Sequence, residues 1–365
     1  MRILHLTNHC MHAGAGIVNV MVDLACLQAQ WGHEVAVASS GGTFEPLLAA
    51  QGVRHYRLAD ASGRLNKARR LLGLPRLIRA YRPDVVHAHD MTNALAAFTS
   101  KPAGRFKLVT TVHNVHDPTS RLMRVGDRVI AVSRSSVSDM RAWGIPERKI
   151  RVVLNGTLGS VRHAFGQALA SPPSLGEGRK IVCVAGIEPR KGIMDLVRAF
   201  NDVADEVTDV RLILVGGGPN EEEYARAAAA TPHGDRIRFL GFHPDPAAFM
   251  EQATVFVLPS HREAFGLVLT EARAFGCAIV ASDVDGIPEA LDGGAAGLLV
   301  PPGDPAALAA AFRRLLTSPE ELRRWREAAG RGLEKFSVSR VCREVLDVYS
   351  DALGCGGIGG SPRAA

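Results

Sequence analysis

The sequence predicts an α/β protein built from two doubly wound parallel-sheet domains. Three observations carry this. Short β-branched apolar runs alternate with longer segments of helical period along almost the whole chain. The alternation breaks once, over a stretch rich in Gly, Ser and Pro, and then restarts. The length of 365 residues suits two domains at roughly 100–200 residues each.

The elements follow in order. Residues 2–7 read as a strand, 16–31 as a helix and 34–39 as a strand. Further strands fall at 84–89, 107–113, 128–133 and 150–155, closing a first domain over 1–157. Residues 158–179 read as a linker. A second domain over 180–337 begins with strand 180–186 and helix 192–204, then strand 211–217 and helix 219–230. Strands at 236–241 and 253–260, a helix at 265–275 and strands at 277–282 and 297–302 complete its sheet. Helices follow at 305–316, 319–335 and 338–353. The tail 354–365 lacks a core-forming pattern and is expected to be mobile. Sheets of this kind take ligands at the carboxyl ends of their strands.

Composition excludes several classes. Hydrophobic residues at 47% and charged residues at 22% rule out a mainly disordered chain. No apolar run reaches the ~18–20 residues that span a bilayer. Six cysteines without a CxxC pair give neither a disulfide framework nor a zinc module, and point to a reducing, cytoplasmic setting without a signal peptide. The net charge of +6 is unevenly spread: residues 1–165 carry 22 Lys and Arg against 10 Asp and Glu, and the rest 21 against 27. A basic half suggests an anionic surface or substrate. Nucleic acid is not expected, because no aromatic-rich basic strand or finger spacing accompanies the charge.

The densest chemical signal lies at 253–303. Glu263 sits in a loop and Glu271 in the helix that follows, eight residues on. Between them Phe265, Gly266 and Leu267 mark a helix N-terminus, whose unpaired N–H groups suit a phosphate. Two carboxylates beside such a site fit neutral diols of a sugar or ribose. The plain alternative is a surface Glu and a helix-start Glu near a positive dipole end. For Arg190 and Lys191 the plain alternative is a solvated charged pair before a helix.

The motifs around this pair resemble the donor domain of family 4 glycosyltransferases, retaining enzymes. The resemblance runs through EAFGLVLTE, the EARAFGCAIVAS that follows, GIPE and GLLVPPGD, and extends to VAGIEPRKG, RLILVGGGP, WGHEVAV, TTVHN and VVLNGT. It covers nearly the full chain outside linker and tail. It implies a GT-B architecture, with two Rossmann-like domains facing across a cleft and the helix 338–353 packing back on the first. It also implies metal-independent, retaining transfer of a hexose-type sugar from a nucleotide diphosphate-sugar to a hydroxyl, with no cofactor. The acceptor would be a glycan, a lipid-linked molecule or a small molecule, as in bacterial surface-polysaccharide or glycolipid assembly. By this resemblance Glu271 binds ribose and Glu263 the donor sugar. Phe265, Gly266 and Leu267 present backbone to the diphosphate, and Lys191 neutralises it. The family's diphosphate Arg falls on Gly186 here, leaving Arg190 to supply a second cation. Gly16, after Gly14 and Ala15, opens the first helix toward the donor. His113 supports the reacting centre, and His87, His89 and Asp90 shape the acceptor side. Open alternatives are a GT-B-like nucleotide-sugar epimerase and a catalytically silent nucleotide-sugar-binding subunit.

Histidines crowd the strand ends of the first domain at 9, 12, 87, 89, 113 and 116. No carboxylate or Cys joins them at zinc spacing, so no metal is expected. Finally, 62–83 is basic and leucine-rich, with a break at Pro75. Arg64, Lys67, Arg69 and Arg70 there are candidates for peripheral contact with an anionic inner membrane leaflet, against the alternative of a helix packing its leucines on the sheet.

Overall fold

The structure, a computed structural model, describes residues 1–12, 16–60, 63–169 and 174–355. Gly14 and Ala15, and the tail from residue 356, lie outside the described residues. The chain forms two compact units: Met1–Asn155 with Ser337–Ala365, and Gly156–Phe336.

The first unit is a seven-stranded sheet. Its strands are β1 (Arg2–Leu6), β2 (Glu34–Ser39), β3 (Arg54–Arg57), β4 (Val85–Ala88), β5 (Lys107–Val112), β6 (Arg128–Ala131) and β7 (Ile150–Val152). All pair in parallel, in the order β3-β2-β1-β4-β5-β6-β7. The winding reverses between β1 and β4. Leu4, Leu6, Val86 and Ala88 face a core with Leu74, Ile78 and Tyr81 of the helix Arg64–Tyr81. Strand alternation sends His5 and His87, paired in register, to the opposite face. The helices Gly16–Gln30 and Val338–Leu353 meet that face through Gln28 and Tyr349. Ser337 caps the second of these helices by accepting from the Arg340 N–H at 3.2 Å. Asp351 near its end pairs with Arg128 at 2.7 Å and Arg151 at 2.6 Å.

The second unit repeats the plan with six strands: β8 (Arg179–Val184), β9 (Val210–Val215), β10 (Ile237–Phe239), β11 (Val255–Leu258), β12 (Ala278–Ser282) and β13 (Leu298–Val300). Their order is β10-β9-β8-β11-β12-β13, again all parallel, with the reversal between β8 and β11. The helices Ile193–Ala204 and Pro305–Thr317 pack Phe200, Val203, Phe312 and Leu315 on one face of it.

Three features differ from the sequence reading. The supposed linker belongs to the second unit and contains a helix, Arg162–Leu169. Its signal was present in Val161, Phe165 and Leu169, which recur every fourth position. Strand β3 went unseen because RHYR has no apolar run; it is a half-exposed edge strand. The helix Arg64–Tyr81 continues through Pro75. Proline removes one N–H donor there, and Leu74 and Ile78, both buried, hold the turns on either side against the sheet.

Candidate active site

In the second unit the loops after β8 and β11, at the reversal of winding, are fastened together. Gly192 has φ 66° and caps the helix Ile193–Ala204. A Cβ on it would lie 2.0 Å from the Pro259 carbonyl oxygen, so only glycine permits this approach. The His261 N–H donates to the Arg190 carbonyl at 2.8 Å. The two loops thereby bring Lys191 Nζ within 2.5 Å of Glu263 Oε2, with side-chain exposures of only 12% and 14%. Asp285 holds the Glu263 backbone, accepting its N–H at 2.9 Å, and also accepts from Arg262 Nε at 3.0 Å. Gly286 closes the same loop by donating to the Glu263 carbonyl at 3.1 Å. Gly266, at φ 83°, then opens the helix Leu267–Ala274. Glu271 lies one turn in, 9% exposed, and accepts from Thr157 Oγ1 at 3.1 Å.

This neighbourhood combines a cation, two carboxylates and a helix N-terminus at one end of the sheet. A buried Lys–Glu pair keeps each charge oriented, and an anionic ligand can take over the ammonium from Glu263. The structure thus brings together Lys191, Glu263, Phe265, Gly266, Leu267 and Glu271. The Phe265 ring is buried and meets Phe336 edge-on at 6.1 Å, so only its backbone remains for a ligand. Arg190 pairs with Glu188 at 2.5 Å. At Gly186 a Cβ would meet nothing closer than 3.7 Å, so the backbone there tolerates a side chain.

In the first unit the carboxyl ends of β1, β4 and β5 carry an imidazole cluster, with His5, His87 and His89 buried and His113 half-buried. His5 Nε2 lies 2.8 Å from Gln28 Oε1, and His5 Nδ1 lies 3.0 Å from His89 Nε2. His89 Nδ1 lies 3.2 Å from His113 Nε2. Beside this row His87 meets Tyr349 OH at 2.6 Å and Thr111 Oγ1 at 2.7 Å. Burial keeps all four rings neutral. It lowers His5 to about 4 and His113 to about 3, and holds His87 and His89 well below the usual value.

Several assignments are corrected here. His87 and His89 are 0% and 1% exposed with both ring nitrogens engaged, so neither touches an acceptor. Strand alternation points them into the face covered by helices. Asp90 caps the helix Met91–Thr99, accepting from the Asn93 N–H at 3.0 Å and Asn93 Nδ2 at 2.7 Å. Arg70 is 1% exposed and donates to the Thr7 carbonyl at 2.7 Å, so it is no membrane contact: its helix position faces the sheet. Arg69 is exposed, whereas the side chains of Arg64 and Lys67 lie outside the described residues. Of the other first-domain histidines, His9 accepts locally from the Met11 N–H at 3.3 Å and His12 packs on Phe44. Gly16 is the first residue of its helix.

Sequence reasoning missed five supporting residues: His5, Gln28, Tyr349, Thr157 and Asp285. His5 had a signal, a polar residue at an inward position of an otherwise apolar strand. Asp285 and Thr157 stood inside or beside recognised motifs but act only through the loops that folding brings near.

Two doubly wound units, each with a populated reversal point, define a GT-B type of architecture, and the comparisons agree. Residues 14–157 match the family described as Glycosyltransferase Family 4, and 169–331 match Glycosyl transferases group 1. The chain is 30% identical to an N-acetyl-alpha-D-glucosaminyl L-malate synthase of Bacillus anthracis, over 74% of this chain and 75% of that one. It is 32% identical to a phosphatidyl-myo-inositol mannosyltransferase of Mycobacterium leprae, over 73% of each. The crystal structure of Anabaena Alr3699/HepE in complex with UDP-glucose superposes with a TM-score of 0.80, at 20% identity, over 96% of this chain and 100% of that one. The chain belongs to glycosyltransferase family 4 and is a glycosyltransferase.

Proposed function

We propose that the protein is a retaining, metal-independent glycosyltransferase that moves a hexose-type sugar from a nucleotide diphosphate-sugar to an acceptor hydroxyl. The observation that carries this is the buried Lys191–Glu263 pair beside the helix that bears Glu271. Transfer breaks a C1–O bond while negative charge grows on the departing diphosphate. Lys191 and the N–H groups at Gly266 and Leu267 are donors already in place for that charge. Glu263, released from Lys191 as the diphosphate arrives, turns to sugar hydroxyls. Glu271, oriented by Thr157, takes the ribose diol. Arg190 is the second cation, freed from Glu188. His113 supports the reacting sugar.

The acceptor is a glycan, a lipid-linked molecule or a small molecule. Among the relatives, one is named for L-malate and another for phosphatidyl-myo-inositol. A lipid-linked acceptor is favoured by one surface feature. Arg69, Leu72, Arg76 and Arg79 are exposed at helical spacing along one face of Arg64–Tyr81. No described helix is long and apolar enough to cross a membrane, so attachment by this face would be peripheral, at the inner leaflet. Flotation with anionic vesicles at low salt tests it, and Arg69→Glu with Arg76→Glu should abolish binding.

The transfer itself is tested by offering UDP-, GDP- and ADP-sugars with candidate acceptors in the presence of EDTA, and reading the product's anomeric configuration by NMR. Retention without metal is the expected result. Conversion of the donor sugar to its epimer without acceptor would show an epimerase instead.

A further inference from the structure

The row Gln28, His5, His89, His113 is joined end to end by side-chain hydrogen bonds of 2.8, 3.0 and 3.2 Å. Gln28 and His5 are 0% exposed and His89 is 1% exposed, so water does not compete along the row. A neutral imidazole has one N–H and one lone pair, so fixing either nitrogen fixes the other. All three rings are kept neutral by burial. The direction of the whole row is therefore set at its inner end.

That end is the Gln28 side chain. Its Oε1 faces His5 Nε2 at 2.8 Å, and its Nε2 is buried without a hydrogen-bond partner. A carbonyl oxygen only accepts, so His5 carries its proton on Nε2. His5 Nδ1 is then a lone pair and accepts from His89 Nε2–H. His89 Nδ1 is in turn a lone pair and accepts from His113 Nε2–H. The outermost ring is left with its lone pair on Nδ1, at the carboxyl end of β5.

We infer that Gln28, His5 and His89 are positioning residues that hold His113 as its Nε2–H tautomer, so that Nδ1 is presented as an acceptor for a substrate hydroxyl. A ligand group that can only accept, such as a phosphate or carbonyl oxygen, finds no donor there. This rests on the proposed role of His113 and gives it a chemical sense: it recognises a hydroxyl of the donor sugar or of the acceptor. The ring atoms of His5, His87 and His89 also lie close enough together to hold a metal ion. Binding one would require breaking the bonds of the row, because their nitrogens are already engaged with one another, Gln28, Thr111 and Tyr349.

The test is ring-nitrogen NMR of the full chain labelled at histidine. Wild-type His113 should carry its proton on Nε2, and a proton on Nδ1 overturns the inference. Gln28→Leu removes the anchor and should give a mixed His113 tautomer and a kcat lower by about tenfold, with little change in donor KM. Gln28→Glu keeps an acceptor facing His5 and should restore the Nε2–H form, which also guards against a packing effect of leucine. An unchanged tautomer and kcat in a folded Gln28→Leu variant overturns the anchoring. Zinc chloride added at equimolar ratio should leave the His5 and His89 signals in place; a stoichiometric shift shows a metal site instead. If His113→Ala keeps full turnover, the catalytic reading of His113 fails while the tautomer result still stands or falls by itself.

Discussion

The two units share one plan and use it for opposite chemistry. Each is a parallel sheet whose winding reverses once, between β1 and β4 in the first and between β8 and β11 in the second. At the first reversal lie four neutral imidazoles, three buried and His113 half-buried, tied to one another and to Gln28, Thr111 and Tyr349. At the second lie the Lys191–Glu263 pair and the Arg190–Glu188 and Arg262–Asp285 pairs. The topology fixes where a ligand is taken, and the strand-end side chains decide which kind. A charged end can meet a diphosphate; a neutral row of rings can read only hydrogen bonds.

The comparison breaks most easily at Lys191. Lys191→Ala should lower kcat about 10²–10³-fold by removing a preformed donor to the leaving diphosphate. A decrease of under threefold in steady-state assays would remove the charged end from the mechanism. Next in size is acid sensitivity. Burial depresses the folded-state values of His5 and His113. The unfolded chain therefore binds protons first as pH falls below about 6.5, and stability is present above that value and lost below it. For His5 alone, lowered to about 4, the loss approaches roughly 3 kcal/mol at pH 4. Melting followed by calorimetry between pH 7 and 5 should show the first unit weakening, and His5→Gln should flatten the slope. Smaller still is Gly186→Arg. The position has room, with a Cβ no closer than 3.7 Å to any neighbour. The added cation should tighten nucleotide binding about threefold to tenfold, as read by calorimetry. Weaker binding would mean that Arg190 already fills the diphosphate's cationic side.

These differences were unequally legible. The second unit's site could be read because its residues are close in sequence: Glu263, Gly266 and Glu271 sit on one loop and the helix it enters. Lys191 needed a family motif, because its contact with Glu263 spans 72 positions. The first unit's row was read only in part. His87, His89 and His113 were visible at strand ends, but periodicity alone did not say that they point inward. His5 and Gln28 come from a strand and a helix end, and Tyr349 from 262 positions beyond His87. Such contacts exist only after the sheet has formed and the last helix has returned to it. The Arg64–Tyr81 helix shows the converse. Its basic pattern was plain, yet Arg70 turned inward because helical rotation, not composition, assigns each arginine to a face.

The most direct test of the account is calorimetric titration of UDP, GDP and ADP into the wild-type chain, Glu271→Ala and His113→Ala. The account predicts that at least one diphosphate binds wild type and His113→Ala with the same Kd, and Glu271→Ala at least tenfold more weakly. Loss of binding in His113→Ala with none in Glu271→Ala would contradict it.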